Sequence, residues 1–438
     1  MDISNELVDK SKVLTMIQRA LNMVNPHLVD HGTKVALILQ DMLRVENRTD
    51  PKTRSELLIL ALLHDIGAFR EEEISRLVQI ETHDVWEHSI YSYLFLRDYF
   101  CQEGLAKVIL YHHADFNKPW EGRKEILHYG QMLHVADRVA IWHDEVRQSR
   151  EKLATHFSQR SGTVFSPECI SLFWKADALY GTWDSLKGPV SLDALTDCEE
   201  LSQENAEEYL FILASAIDFR SRNTVIHTRG VMEIAIEMAK HLKLPLETQK
   251  KLYYAALLHD LGKIGIPIEI LEKPGRLTPE EMSIMQGHIL LGEQIVEGFV
   301  DPEVVKIAMR HHEKLNGSGY PRGLSAEELT LPQRLLAVAD IVSALCMARS
   351  YKEAFPKERC LAILRDMADQ GQLDDGMVSL VEQHFDTIMA WASRRCDPVL
   401  DYYDHLTKEA AQMMMYFSTP PTDPLPPCGS GDDRPILM

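Results

Sequence analysis

The word Leu-Leu-His-Asp occurs twice, at Leu62–Asp65 and at Leu257–Asp260, and when the two copies are laid on each other their surroundings fall into step. Upstream, HGTKV from His31 pairs with HTRGV from His227. Downstream, His88 pairs with His288, His112-His113 with His311-His312, and the VAD ending at Asp137 with the VAD ending at Asp340. One such word says little, because Leu-rich helices ending in a polar pair are common. Seven polar positions recurring in the same order with similar gaps mark a duplicated unit. A chain of 438 residues is also long for one core, so two tandem domains are expected.

Helical periodicity dominates both copies. Leu252, Ala255, Ala256 and His259 recur at three- and four-residue steps, as do Val231, Ile234, Ala235 and Met238. Strand-like alternation is scarce, and the expected fold class is all-α. The expected organisation is a first domain over 1–144, a connecting segment over 145–203, a second domain over 204–417 and a flexible tail over 418–438. The connecting segment carries Phe165, Phe173, Trp174, Tyr180 and Trp183, too many aromatics for a free linker. The tail is rich in Pro, Gly, Ser and Asp, with little to bury.

A formal charge of −20 argues against a broad nucleic-acid surface, which needs a net basic field, but leaves room for a small anionic ligand where cations gather. Seven scattered cysteines without a CxxC pair read as a reducing cytoplasm rather than a disulfide framework. The N-terminus lacks the apolar core of a signal peptide, and no apolar stretch reaches the length of a membrane span.

The second copy carries the fuller chemistry. His259 and Asp260 end an apolar helix, with Lys263 four and three residues on and hence on the same helix face. His227 continues an apolar stripe one turn before Val231, His311 follows Val304, Ile307 and Ala308, and Asp340 lies between Leu336 and Ala344 on a buried face. Any one inward histidine is more often a hydrogen-bonded core residue than a ligand. Five histidines (His227, His259, His288, His311, His312) and two aspartates (Asp260, Asp340) turned inward are costly together unless metal ions neutralise them. Two ions fit the ligand number. Donors of nitrogen and oxygen without thiolate suit iron, manganese, cobalt, nickel or zinc.

HDLGK from His259, then His288, then HHEKLNGSGYPRGL from His311, then Asp340, closely resemble the HD-GYP phosphodiesterases over residues 205 to 400. The Gly-Tyr-Pro is Gly319, Tyr320 and Pro321. The resemblance implies a helical HD domain with a binuclear or trinuclear metal site, iron or manganese foremost. A carboxylate like Asp260 would bridge two ions, and a metal-bridging hydroxide would attack a cyclic dinucleotide, cyclic di-GMP or 3',3'-cyclic GMP-AMP, giving a linear dinucleotide. Asp260 and Lys263 then carry catalysis, Lys263 steadying the phosphate. A basic pair following the last aspartate in the family is matched by Arg349 and Lys352 in RSYKEA, where Ser350 replaces a proline. Lys314, with Gly319, Tyr320 and Pro321, joins them as an expected substrate contact, and Arg322 could add charge. Asn223 stands where members with a third metal place a glutamate, which favours two ions.

The first copy keeps His31, His64, Asp65, His88, His112, His113 and Asp137, a candidate second metal site. It has Ala68 where the second copy has Lys263, and HHADFNKPWEGRKEIL in place of the GYP loop, so it resembles the broader HD superfamily. It reads either as a second metal site or as a duplicated domain kept for packing. The alternatives to a cyclic dinucleotide phosphodiesterase are an HD-type mononucleotide or alarmone phosphohydrolase and a non-catalytic HD signalling scaffold. No extended nucleic acid and no membrane are expected as partners, and a homodimer is left open.

Overall fold

The structure, a computed structural model, describes residues 7–9, 12–23, 30–68, 86–97, 104–120, 122–145, 149–188, 190–195, 206–220, 226–347 and 355–418. Among these every regular element is helical, and extended pairing is limited to isolated bridges such as Val8 with Val300. No helix among the described residues is long and apolar enough to cross a membrane.

The helices that position the two repeats are α1 (Val13–Asn22), α2 (His31–Glu46), α3 (Pro51–Leu63), α4 (Trp86–Leu96), α5 (Lys107–Leu110), α6 (Lys124–Glu145), α7 (Arg150–Arg160) and α8 (Pro167–Tyr180). They continue as α9 (His227–His241), α10 (Leu246–Leu258), α11 (His288–Val296), α12 (Pro302–Ala308), α13 (Leu331–Cys346) and α14 (Asp375–Ser418). Their starts follow local chemistry. Asp50 caps α3 by accepting the Thr53 amide at 3.1 Å, Asp301 caps α12 through Glu303 and Val304, and a proline follows each cap, where its missing N–H costs nothing. Thr330 and Gln333 form a reciprocal capping box at the head of α13.

Among the described residues, one compact unit falls within Leu21–Ile212 and His405–Arg434, the other within Met1–Ala20 and Leu213–Asp404. Each is built alike. In the first unit α2 packs on α3 and α6, and α5 on α6; in the second α9 packs on α10 and α13, and α12 on α13. The run Leu57–Leu63 in α3 is buried all round, as a central helix must be.

These bounds differ from the sequence expectation in three places. Residues of α1 group with the second repeat rather than the first: Met16, Ile17 and Ala20 are buried, and the Arg19 guanidinium donates to the carbonyls of Gln294 and Glu297 while lying over the Phe299 ring. The segment read as a connection folds as α7 and α8 and belongs to the first unit. Its aromatics are core, with Phe157, Phe165 and Phe173 buried and α8 packed on α2 and α6. The last turns of α14 also group with the first unit, where Phe417 stacks on Trp86 at 4.4 Å and Arg97 pairs with Glu409. Residues 419–438, the bulk of the expected tail, lie outside the described residues.

Candidate metal centre

In the second unit the candidate ligands sit at helix ends or in mid-helix facing one point. His227 opens α9, His259 closes α10, His288 opens α11, His311 and His312 follow α12, and Asp340 lies in the middle of α13. All are buried except His312, which is partly exposed. Asp260 does not continue α10 as the spacing predicts. The α-helix stops at Leu258, and a tight 3-10 turn over Leu261–Gly265 carries Lys263 round, placing its Nζ 2.5 Å from Asp260 Oδ2.

The two carboxylate oxygens of Asp260 look different ways. Oδ2 lies 3.2 Å from His259 Nε2 and 3.5 Å from His227 Nε2, whereas Oδ1 lies 3.5 Å from His288 Nε2 and 3.9 Å from His311 Nε2. Asp340 closes the first group, with Oδ1 3.1 Å from His227 Nε2, and reaches toward the second, with Oδ2 4.0 Å from His312 Nδ1. Donors bound to a shared ion at about 2.1 Å stand about 3 to 4 Å apart, and these separations fall in that range.

Proton bookkeeping points the same way. His259, His288 and His311 each set Nδ1 at 2.6–2.7 Å from the carbonyl three residues back, those of Ala256, Met285 and Ala308. A carbonyl only accepts, so Nδ1 carries the proton and Nε2 presents a lone pair inward. His259 Nε2 then faces His227 Nε2 at 3.4 Å, and Asp260 Oδ1, His288 Nε2 and His311 Nε2 are buried without a hydrogen-bond partner. Lone pairs and carboxylates converging in a buried space call for cations. Burial disfavours charge on His227, yet hydrogen bonds to Asp260 and Asp340 outweigh it and hold the imidazole up at about 9. Burial likewise pushes the Asp260 carboxyl up, but His259 and Lys263 hold it well below its usual range. The donor set therefore fits divalent metal ions.

The loop after His312 borders this cluster. Tyr320 lies against His312, ring centroids 4.7 Å apart, and the Tyr320–Pro321 bond is cis. Burial, then Asp340 and Asp260, push the Tyr320 phenol above its ordinary pKa, so it stays a donor. A Cβ on Gly319 would fall 2.4 Å from the Lys314 amide nitrogen, which explains the glycine. Burial pulls the Lys314 ammonium below its usual pKa, with Asp340 acting against it. Arg322 turns to a different task from the one considered for it, pairing with Glu293 at 2.7 Å. Arg349, Lys352 and Asn223 lie outside the described residues.

The first unit repeats the pattern. Asp65 Oδ2 lies 3.3 Å from His64 Nε2 and 3.7 Å from His31 Nε2, and Asp65 Oδ1 lies 3.7 Å from His88 Nε2. His31 Nε2 meets Asp137 Oδ1 at 3.2 Å, and His88 Nε2 meets His112 and His113 Nε2 at 3.4 and 3.2 Å.

Family comparison settles what this doubled arrangement is. An HD domain model matches residues 28–142, and a second HD domain model matches residues 207–376. The chain is a tandem HD-domain protein. It is 26% identical over 390 residues to the 3'3'-cGAMP-specific phosphodiesterase 1 of Vibrio cholerae, covering 83% of this chain and 89% of that protein. It is 41% identical over 177 residues to the cyclic di-GMP phosphodiesterase response regulator RpfG of Xanthomonas campestris, covering 40% and 46% of the two. Its fold matches the crystal structure of a cyclic GMP-AMP specific phosphodiesterase of V. cholerae, V-cGAP3, with a TM-score of 0.56 at 19% identity over 86% of this chain and 97% of the other. The second HD domain, with its Gly319-Tyr320-Pro321 loop, is of the HD-GYP kind.

Three side chains that touch these clusters or the loop beside them escaped the sequence reading. Glu313 accepts the amides of Arg322 and Leu324, both at 2.8 Å, and so clamps the GYP loop beside His312. Ser343, one turn after Asp340, sits 3.3 Å from His227 Nδ1. Arg138 lays Nη2 2.7 Å from Asp137 Oδ2 in the first HD domain, and its only sequence trace is VADR where the second copy has VADI.

Proposed function

We propose that this chain hydrolyses a cyclic dinucleotide, 3',3'-cyclic GMP-AMP or cyclic di-GMP, to the linear dinucleotide, using two divalent ions held by the second HD domain. The observation that carries the reading is the split of Asp260, one oxygen toward His227 and His259, the other toward His288 and His311. Likeness across both halves to a protein named for 3'3'-cGAMP puts that substrate first for testing.

His227, His259, Asp260 and Asp340 would hold one ion, and Asp260, His288, His311 and His312 the other, with iron or manganese foremost. Such a pair would supply a nucleophile from water at neutral pH and charge compensation at the attacking and leaving oxygens. The protein's own part is placement. Carbonyls of Ala256, Met285 and Ala308 fix three imidazoles in the ligating tautomer. With cations on Asp260, the Lys263 ammonium would turn from that carboxylate toward a substrate phosphate. The Tyr320 phenol, protonated and lying on His312, would donate at the mouth of the site. Free thiols at Cys169, Cys346, Cys360 and Cys396 support a reducing, cytoplasmic setting.

The test is product analysis with both cyclic dinucleotides after loading with manganese or ferrous iron. Linear dinucleotide is expected from the wild type. Asp260→Ala should lower turnover by at least about 10³-fold, the scale of losing a central electrostatic group, and should lower metal content. No turnover of either substrate by metal-loaded wild type, or near-normal turnover by Asp260→Ala, would overturn the reading.

A further inference from the structure

Where the second HD domain has Glu313 after its paired histidines, the first has Ala114, and a different segment follows. Its backbone is tied to the turn after α7, the Phe116 and Asn117 amides donating to the carbonyls of Val164 and Thr163 at 3.0 and 2.9 Å. Gln131 on α6 joins the two sides, donating to the Ala114 carbonyl at 2.5 Å and accepting the Ser166 amide at 2.8 Å. Beside these ties lies a cavity of about 860 Å³, bordered by this segment, the first turns of α6 and the head of α8. All its lining residues belong to the first unit, and none of that unit's inward histidines and aspartates, from His31 to Asp137, is among them.

The walls are largely aromatic. Tyr111 and Tyr129 are buried, and the Trp120 indole is fixed by donating to the Asp115 carbonyl at 2.8 Å. Phe116 stands at the edge, 46% exposed, and is the one exposed phenylalanine among the described residues. Sites of about 300–1,000 Å³ lined in this way suit a small planar molecule. Charge narrows the choice. Four carboxylates border the cavity, and three are engaged, Glu46 by His128 at 2.7 Å, Asp115 by Lys118 at 2.9 Å and Glu125 by the Tyr129 phenol at 3.3 Å. The first of these is an ion pair, because Cys169 and Glu46 hold the His128 imidazole up at about 10 against its burial. The fourth, Glu168, lies in the first turn of α8, where the helix N-terminus offsets its charge. The Arg48 guanidinium and the Lys124 ammonium, by contrast, are exposed and make no side-chain hydrogen bond or ion pair among the described residues.

We propose that this cavity of the first HD domain is a binding site for a small aromatic anion, its planar body between the aromatic walls and its negative group at Arg48 and Lys124. The aromatic side chains supply contact area, and the two cations fix which end of the ligand faces solvent.

The experiment titrates the full chain with anilinonaphthalenesulfonate, followed by fluorescence and calorimetry, beside phenylnaphthylamine, which keeps the rings and lacks the charge. The wild type should show one saturable site per chain for the sulfonate. Arg48→Glu with Lys124→Glu should weaken the sulfonate by about tenfold or more, the scale of losing two unit-charge contacts in water, and leave the neutral probe unchanged. Gly122→Phe is the blocking variant. A Cβ there meets the Leu127 and Tyr111 side chains, both lining residues, at 3.6 Å, an ordinary contact, so the new ring starts at the cavity wall without a clash. It should abolish binding of both probes while the helical circular dichroism stays as in the wild type. Phe116→Ala, at an exposed position, should weaken both probes and keeps the test decisive if the blocking variant does not fold. The absence of a saturable sulfonate site would overturn the proposal. So would sulfonate binding left unchanged by the charge reversals, or by Phe116→Ala together with a folded Gly122→Phe.

Discussion

Glu313 shows how one side chain can join the His/Asp cluster to the Gly-Tyr-Pro loop. It follows His312 directly, is buried, and spends both carboxylate oxygens on loop amides, those of Arg322 and Leu324. Hydrogen bonds to a charged acceptor are worth about 1.5–3 kcal/mol each, so the loop carrying Tyr320 depends on this residue for its shape. Glu313→Ala should lower the melting temperature and raise KM for the dinucleotide by about tenfold, equivalent to about 1.4 kcal/mol, while metal content stays at the wild-type level. Steady-state kinetics beside metal analysis check this, and an unchanged KM would remove Glu313 from the loop's support. The sequence showed Glu313 as part of an HHE word but not its task, because its partners lie nine and eleven residues on, with no periodicity linking them.

At the scale of elements, the contact that keeps the two halves of the cluster in register is the approach of the turn after His259–Asp260 to α11. A Cβ on Gly262 would stand 1.9 Å from the His288 carbonyl oxygen and 2.4 Å from the Gly292 nitrogen, both backbone atoms that cannot swing aside. The first HD domain repeats this: a Cβ on Gly67 would stand 2.5 Å from the Ser92 nitrogen and 2.7 Å from the His88 carbonyl oxygen. Gly262→Ala should therefore push His288 away from Asp260, costing about 1–3 kcal/mol or more and abolishing metal-dependent hydrolysis. Gly67→Ala should cost similar stability but spare the chemistry. Melting curves and turnover for the pair separate the two, and equal loss of activity in both at equal stability would count against placing the chemistry in the second domain alone. Helices with a clear apolar stripe, such as α9 and α13, were legible in the sequence, and so was the inward aim of His227 and Asp340. The route of Lys263 was not: helical spacing predicts a continuous face, whereas α10 ends at Leu258 and a different turn delivers the same proximity.

For the whole molecule, local words sufficed to reveal two units but not to assign their ends. Nothing near Arg19 announces that its guanidinium meets carbonyls more than 270 residues away, or near Phe417 that it stacks on Trp86. Removing residues 1–20 should strip Met16, Ile17 and Ala20 from the core of the second unit. Loss of each large side chain costs about 2–5 kcal/mol, so the melting temperature and metal retention of that unit should both fall. Calorimetry of the truncated protein tests this, and a second-unit transition at its original temperature would count against it. Because each unit borrows a segment from the far end of the chain, a single break between the repeats yields no self-sufficient product. One fragment would lack the cover over Phe299, the other the aromatic partner of Trp86. Each half of this chain made alone would therefore expose the surface that its missing segment covers.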